Sequence, residues 1–149
     1  MNRLLLLAED NPTDEKLTLR ALRKSGLANQ VVVVRDGPEV LDFLFATGAF
    51  EGRDASQLPA VLLLDLNLPR MDGLEVLERI RANEHTRPLP VVMLTGSKEA
   101  EDVARSYSLG ANAYVRKPVD FVEFAEMART LELFWLILNE RPSAASTVV

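Results

Sequence analysis

The run Val61-Leu62-Leu63-Leu64 stops abruptly at Asp65, and a turn containing Pro69 and Gly73 follows. A short, continuously apolar run bounded by turn residues predicts a strand buried on both faces, which is the signature of a parallel sheet covered by helices. Asp65 then lies where that strand emerges into water, at its carboxyl end. In an open parallel sheet, ligands and chemistry gather at those ends.

The rest of the chain repeats the pattern. Residues 4–8 form a second apolar run, broken at Glu9-Asp10-Asn11-Pro12. Asn11 suits a helix cap and Pro12 the first helical position, whose N–H has no partner to lose. Leu17, Ala21 and Leu22 are predicted to face the core from this helix, which Gly26 ends. Residues 30–34 read as a strand, and residues 37 to about 47 as a helix with Val40, Leu41, Leu44 and Phe45 inward. Residues 48–59 are polar with two glycines and predict a surface loop. After the Asp65 strand come a helix over about 73–82 (Leu74, Leu77, Ile80), a strand over 90–94 ending at Thr95, and a helix over 99–109. A last strand over 113–116 ends at Lys117-Pro118, and a last helix runs from about 120 to 139. Five strand–helix alternations predict an α/β fold: a doubly wound, five-stranded parallel sheet, flavodoxin-like, of strand order 2-1-3-4-5. Residues 1–139 are expected to form one domain and residues 140–149 a flexible tail.

That order sets the first and third strands side by side. Their carboxyl ends carry Glu9, Asp10 and Asp65, and the neighbouring ends carry Thr95 and Lys117. Packed carboxylates repel: at about 4 Å one like-charge pair costs about 4 kcal/mol at an intermediate effective dielectric. One lysine offsets only part of this, whereas a hard divalent cation with oxygen ligands resolves it, and Mg²⁺ suits a site of few carboxylates. Asp65 can then act as a nucleophile toward phosphorus, with Thr95 and Lys117 as donors to phosphoryl oxygens. The backbone carbonyl of Asn67 is a candidate further metal ligand.

Composition narrows the alternatives. The formal charge of −5 argues against a nucleic-acid partner, and the absence of cysteine excludes disulfides and thiolate metal sites. The apolar start of the chain is too short for a signal peptide, and no segment approaches the roughly 20 apolar residues of a membrane span. A cytoplasmic protein is expected.

Glu9-Asp10-Asn11-Pro12, the stretch from Asp65 to Gly73, Thr95-Gly96-Ser97 and Lys117-Pro118 together resemble a response-regulator receiver domain of two-component signalling (CheY-like). The resemblance extends from residue 4 to about 139. It implies that Asp65 accepts a phosphoryl group from a sensor histidine kinase, and that Asp10, Asp65 and, through water, Glu9 hold Mg²⁺. It further implies that Thr95 and Tyr114 form a two-state switch, Lys117 pairs with the phosphoryl group, and the Lys117–Pro118 peptide is cis. The Phe-Trp-x-x-Leu-Asn ending and the long second loop are similar to small receivers paired with bacterial phytochrome kinases.

The last helix carries a core stripe of Phe121, Phe124, Ala125, Ala128, Leu131, Trp135 and Leu138, while Leu133, Phe134 and Ile137 fall off it. A second apolar side predicts self-association, expected to be a symmetric dimer that also uses the fourth helix and fifth strand. Asp72 reads as turn chemistry and His85 as a loop residue. A haloacid-dehalogenase-like phosphatase would carry its nucleophile on the first strand, and a nucleotide-binding protein a Gly-rich loop after it. A pseudo-receiver acting purely by contact would not need the full acid set. The expectation is a phosphoacceptor and not a turnover enzyme.

Overall fold

The computed structural model describes residues 4–24, 30–96 and 100–130. Five strands alternate with five helices: β1 (Leu5–Ala8), α1 (Pro12–Lys24), β2 (Val31–Val34), α2 (Gly37–Phe45), β3 (Val61–Asp65), α3 (Gly73–Ala82), β4 (Val91–Thr95), α4 (Ala100–Ser108), β5 (Ala113–Arg116) and α5 (Phe121–Thr130). All strands are parallel in the order β2-β1-β3-β4-β5, as the alternation predicts.

Alternate side chains point to opposite faces of a strand, and this is why the strands are apolar throughout. Leu6, Ala8, Leu62, Leu64, Val91 and Met93 pack on one face with Val40, Phe43 and Leu44 of α2 and Leu74, Val76, Leu77 and Ile80 of α3. Leu5, Leu7, Val61, Leu63, Val92, Leu94 and Val115 pack on the other with Ala21 and Leu22 of α1 and Phe124 of α5. Each leucine fully buried in these layers contributes about 1.5–3 kcal/mol.

Two details differ from the periodicity. Leu17 is 37% exposed and Thr18 is buried in its place, because the inward face of α1 is rotated by one residue. Phe43, unassigned by the pattern, is buried, while Leu41 and Phe45 are half-buried. The connection after α2 is also more ordered than a polar loop: Gly48–Phe50 is a 3₁₀ turn, and Phe50 meets Phe43 edge-on with ring centroids 5.0 Å apart. The Arg53 guanidinium lies 3.9 Å from the Phe43 ring centroid and donates to the Phe43 and Gln57 carbonyls. A cation over an aromatic face holds such a segment down.

Among the described residues no helix is long and apolar enough to cross a membrane. Leu133, Phe134 and Ile137, expected to form a self-association surface, lie outside the described residues, as do Ser97 and the end of the last helix.

Candidate phosphoacceptor site

The parallel order sends every strand's carboxyl end to one edge, and local turns then aim the side chains. After β1, the Asn11 side chain caps α1, its Oδ1 accepting from the N–H groups of Thr13 at 2.9 Å and Asp14 at 3.0 Å. The Asn11 N–H in turn donates to Glu9 Oε2 at 3.2 Å. After β3, Asp72 caps α3, accepting the Glu75 N–H at 2.9 Å, so its role is the turn chemistry expected. Gly73 is required by a close approach: a Cβ there would lie 2.4 Å from the Asp65 carbonyl oxygen and 2.9 Å from Leu66 Cα. Gly37, whose added Cβ would lie 2.3 Å from the Met71 carbonyl oxygen, lets the start of α2 press on the same turn. Its N–H donates to the Pro69 carbonyl at 3.4 Å, and Arg70 pairs with Asp36 at 3.1 Å. The turn after Asp65 is thus held from two helices.

Asp65 is buried, and both of its oxygens are engaged. Oδ1 accepts from the Asn67 N–H at 3.2 Å, and Oδ2 lies 3.2 Å from Lys117 Nζ. Glu9 is fully buried and Asp10 exposed. Glu9, Asp10 and Asp65 each bring a carboxylate oxygen to within 4.8 Å of the others. Thr95 closes β4 and is buried; it hydrogen-bonds the half-buried Tyr114 of β5. The Lys117 N–H donates to the Thr95 carbonyl at 2.8 Å, and the Lys117–Pro118 peptide is cis.

Lys117 is the cation of the cluster. Its Nζ lies 2.9 Å from Glu9 Oε1, 3.0 Å from Asp14 Oδ2 and 3.2 Å from Asp65 Oδ2. Burial alone would lower its pKa, but its bonds to Glu9 and Asp14 and the charge of Asp65 outweigh this and raise it, so it stays charged. Burial pushes the Glu9 carboxyl up to about 7, with the Asp65 charge adding to the rise and the bond from Lys117 opposing it. Asp14 was not anticipated from sequence. An acid three residues past a cap reads as a residue that complements the helix dipole, and only the fold brings it to Lys117.

The donor set fits magnesium. All its ligand atoms are hard oxygens, and the rise of Glu9 shows that, without a dication, the pocket resists carrying its full negative charge. Glu9, Asp10 and Asp65 would hold the ion.

A parallel doubly wound sheet with this acid cluster and one lysine at its carboxyl edge defines a response-regulator receiver. Residues 5–129 match the response regulator receiver domain family, and the chain belongs to that family. The response regulator Rcp1 of Synechocystis sp. is 37% identical over 142 residues, which span 95% of both chains. A structure of Rcp1 in its Mn(2+)-bound form is 36% identical with a TM-score of 0.73, covering 90% of this chain and 94% of that one. The bacteriophytochrome response regulator AtBRR is 54% identical with a TM-score of 0.83, covering 94% of this chain and 99% of its own. RtBRR, of the same description, is 49% identical with a TM-score of 0.84 and covers 99% and 88%. The protein is therefore a receiver of the two-component phosphorelay type, homologous to phytochrome response regulators, with Mg²⁺ as its cofactor.

Proposed function

We propose that Asp65 is the phosphoacceptor, that a histidine kinase, in particular a bacteriophytochrome, is the donor, and that the signal leaves by contact with a protein partner. One observation carries this reading: Lys117 Nζ stands 3.2 Å from the Asp65 carboxylate, beside acids whose oxygens lie within 4.8 Å of one another. In the step, a carboxylate oxygen of Asp65 bonds to phosphorus as the bond from phosphorus to the kinase histidine nitrogen breaks. The electron pair of that bond returns to the histidine nitrogen, and because the other ring nitrogen of the phosphohistidine already carries a proton, the histidine leaves as neutral imidazole. Hydrolysis later returns Asp65 and inorganic phosphate, so the protein turns over only its own phosphoryl group and is not an enzyme acting on a separate substrate.

Asp10, Asp65, the Asn67 carbonyl and, through water, Glu9 would hold Mg²⁺, which when bound would supply charge neutralisation for the phosphoryl oxygens. Lys117 and Thr95 donate to those oxygens. As the Thr95 hydroxyl turns toward them it gives up its bond to Tyr114, and the ring moves inward, a shift between two packings biased by phosphorylation. Self-association through Leu133, Phe134 and Ile137 belongs to the same reading, as do a domain ending near residue 139 and a cytoplasmic location. The first is supported by their apolar character off the core stripe.

The test is labelling with acetyl phosphate and Mg²⁺, read by intact mass. The expected result is a gain of about 80 Da in the wild type, the mass of one added phosphoryl group, and none in Asp65→Asn. An unlabelled wild type, or a label that persists in Asp65→Asn, overturns the assignment.

A further inference from the structure

Lys117 is gripped by one acid that lies outside the metal cluster. An ammonium has three N–H donors, and the structure gives Lys117 three carboxylates: Glu9, Asp14 and Asp65, at 2.9, 3.0 and 3.2 Å. Glu9 and Asp65 belong to the three-acid cluster; Asp14 does not. Asp14 is also fixed in direction. Its N–H donates to Asn11 Oδ1, and the Asn11 N–H donates to Glu9 Oε2, so the turn that holds Glu9 also sets the first turn of α1, from which Asp14 projects.

We infer that Asp14 is a positioning residue for phosphoryl transfer, acting through Lys117; the inference rests on the reading of Asp65 as phosphoacceptor. A lysine stem is flexible and its ammonium swings freely unless anchored. Once Glu9 and Asp65 share their charge with a dication, their pull on Lys117 weakens, while Asp14 keeps its full charge for the ammonium. One N–H stays on Asp14, and another is left aimed at the oxygens where negative charge grows. Holding a donor in place before the reaction removes the need to organise it during the reaction. The competing role for Asp14 is merely to complement the dipole at the start of α1, and that role does not pass through Lys117.

The experiment compares phosphorylation rates by acetyl phosphate at saturating Mg²⁺ for the wild type, Asp14→Ala, Asp14→Asn, Lys117→Ala and the double variant Asp14→Ala/Lys117→Ala. In each, the bond from phosphorus to acetate breaks, acetate leaves with the electron pair, and a bond to an Asp65 oxygen forms. Labelling is followed long enough to read slow variants, and the Mg²⁺ affinity of each is measured separately. Asp14→Ala is expected to slow labelling about tenfold, the scale of a loosened catalytic group. Asp14→Asn should fall between it and the wild type, since its amide oxygen still accepts the Lys117 N–H. In the Lys117→Ala background the Asp14 change should add nothing, because its effect travels through the missing ammonium. An Asp14→Ala rate equal to the wild type overturns the inference. So does an equal loss with and without Lys117, which would assign Asp14 to the start of the helix. A wild type that takes no label would instead remove the phosphoacceptor reading itself.

Discussion

Two cations, one near each edge of the sheet, are held in opposite ways. Lys117, at the carboxyl edge, meets three carboxylates, with Asp10 close by. Arg81 of α3 reaches the amino edge, where Nε donates to the Gly110 carbonyl at 2.9 Å and one terminal nitrogen donates to the Arg87 and Leu89 carbonyls at 2.8 and 2.7 Å. Its other terminal nitrogen donates to Asn112 Oδ1 at 2.9 Å. All four acceptors are neutral. Burial lowers the Arg81 pKa, and no carboxylate restores it. The contrast separates two uses of a cation. Fixed neutral acceptors make Arg81 a brace that ties α3 to the starts of β4 and β5. Acids in excess of the cation make Lys117 the partial counterweight of a pole that stays short of positive charge until a dication arrives.

The contrast is sharpest for kinetics. Lys117→Ala should slow labelling of Asp65 about a hundredfold to a thousandfold, the range for losing one preorganised donor, while Mg²⁺ still binds by calorimetry. A rate near wild type would remove Lys117 from the chemistry. Arg81→Ala should do the reverse. It should destabilise the fold by about 1–3 kcal/mol in urea denaturation, since four hydrogen bonds from one charged donor, two of them part-buried and two exposed, are lost together, and leave the labelling rate of the folded protein unchanged. A slow but fully stable Arg81→Ala protein would break the comparison.

The smallest effect concerns pH. In the folded, metal-free protein Glu9 holds its proton up to about pH 7, against an ordinary value of 4.5. The folded state therefore binds that proton more tightly than the unfolded chain. The stability this contributes is fully present below pH 4.5 and is lost as pH rises through about 7. Mg²⁺ must displace the same proton, so its apparent affinity should be about tenfold weaker at pH 6 than at pH 8. Calorimetry in buffers of different ionisation enthalpy should find about one proton released per ion at pH 6 and almost none at pH 8. Equal affinity at both values would show that Glu9 stays ionised.

How much of this was legible in the sequence follows the same division. The strands were readable because burial on both faces leaves no polar position in them, and the cap at Asn11 because a short polar side chain before a helix has few other uses; Asp72 read only as turn chemistry, and its capping of α3 came from the fold. The order of strands then brought Glu9, Asp10, Asp65, Thr95 and Lys117 to one edge without any knowledge of side-chain packing. Asp14 escaped because an acid in a first helical turn already has a local explanation. Arg81 escaped because its partners are carbonyls, which every residue carries and no pattern marks. The ordering of residues 48–53 was hidden for a similar reason: Phe50 and Arg53 sit in a polar stretch, and only the fold brings both to Phe43.

Gly73 limits how this protein can diverge. A side chain at that position would collide with the backbone of Asp65 itself, so α3 cannot be re-seated while Asp65 stays where it is. Lineages descended from this chain are free to redraw the outward skin of their helices for new listeners. At that one joint, geometry and reactivity are inherited together or lost together.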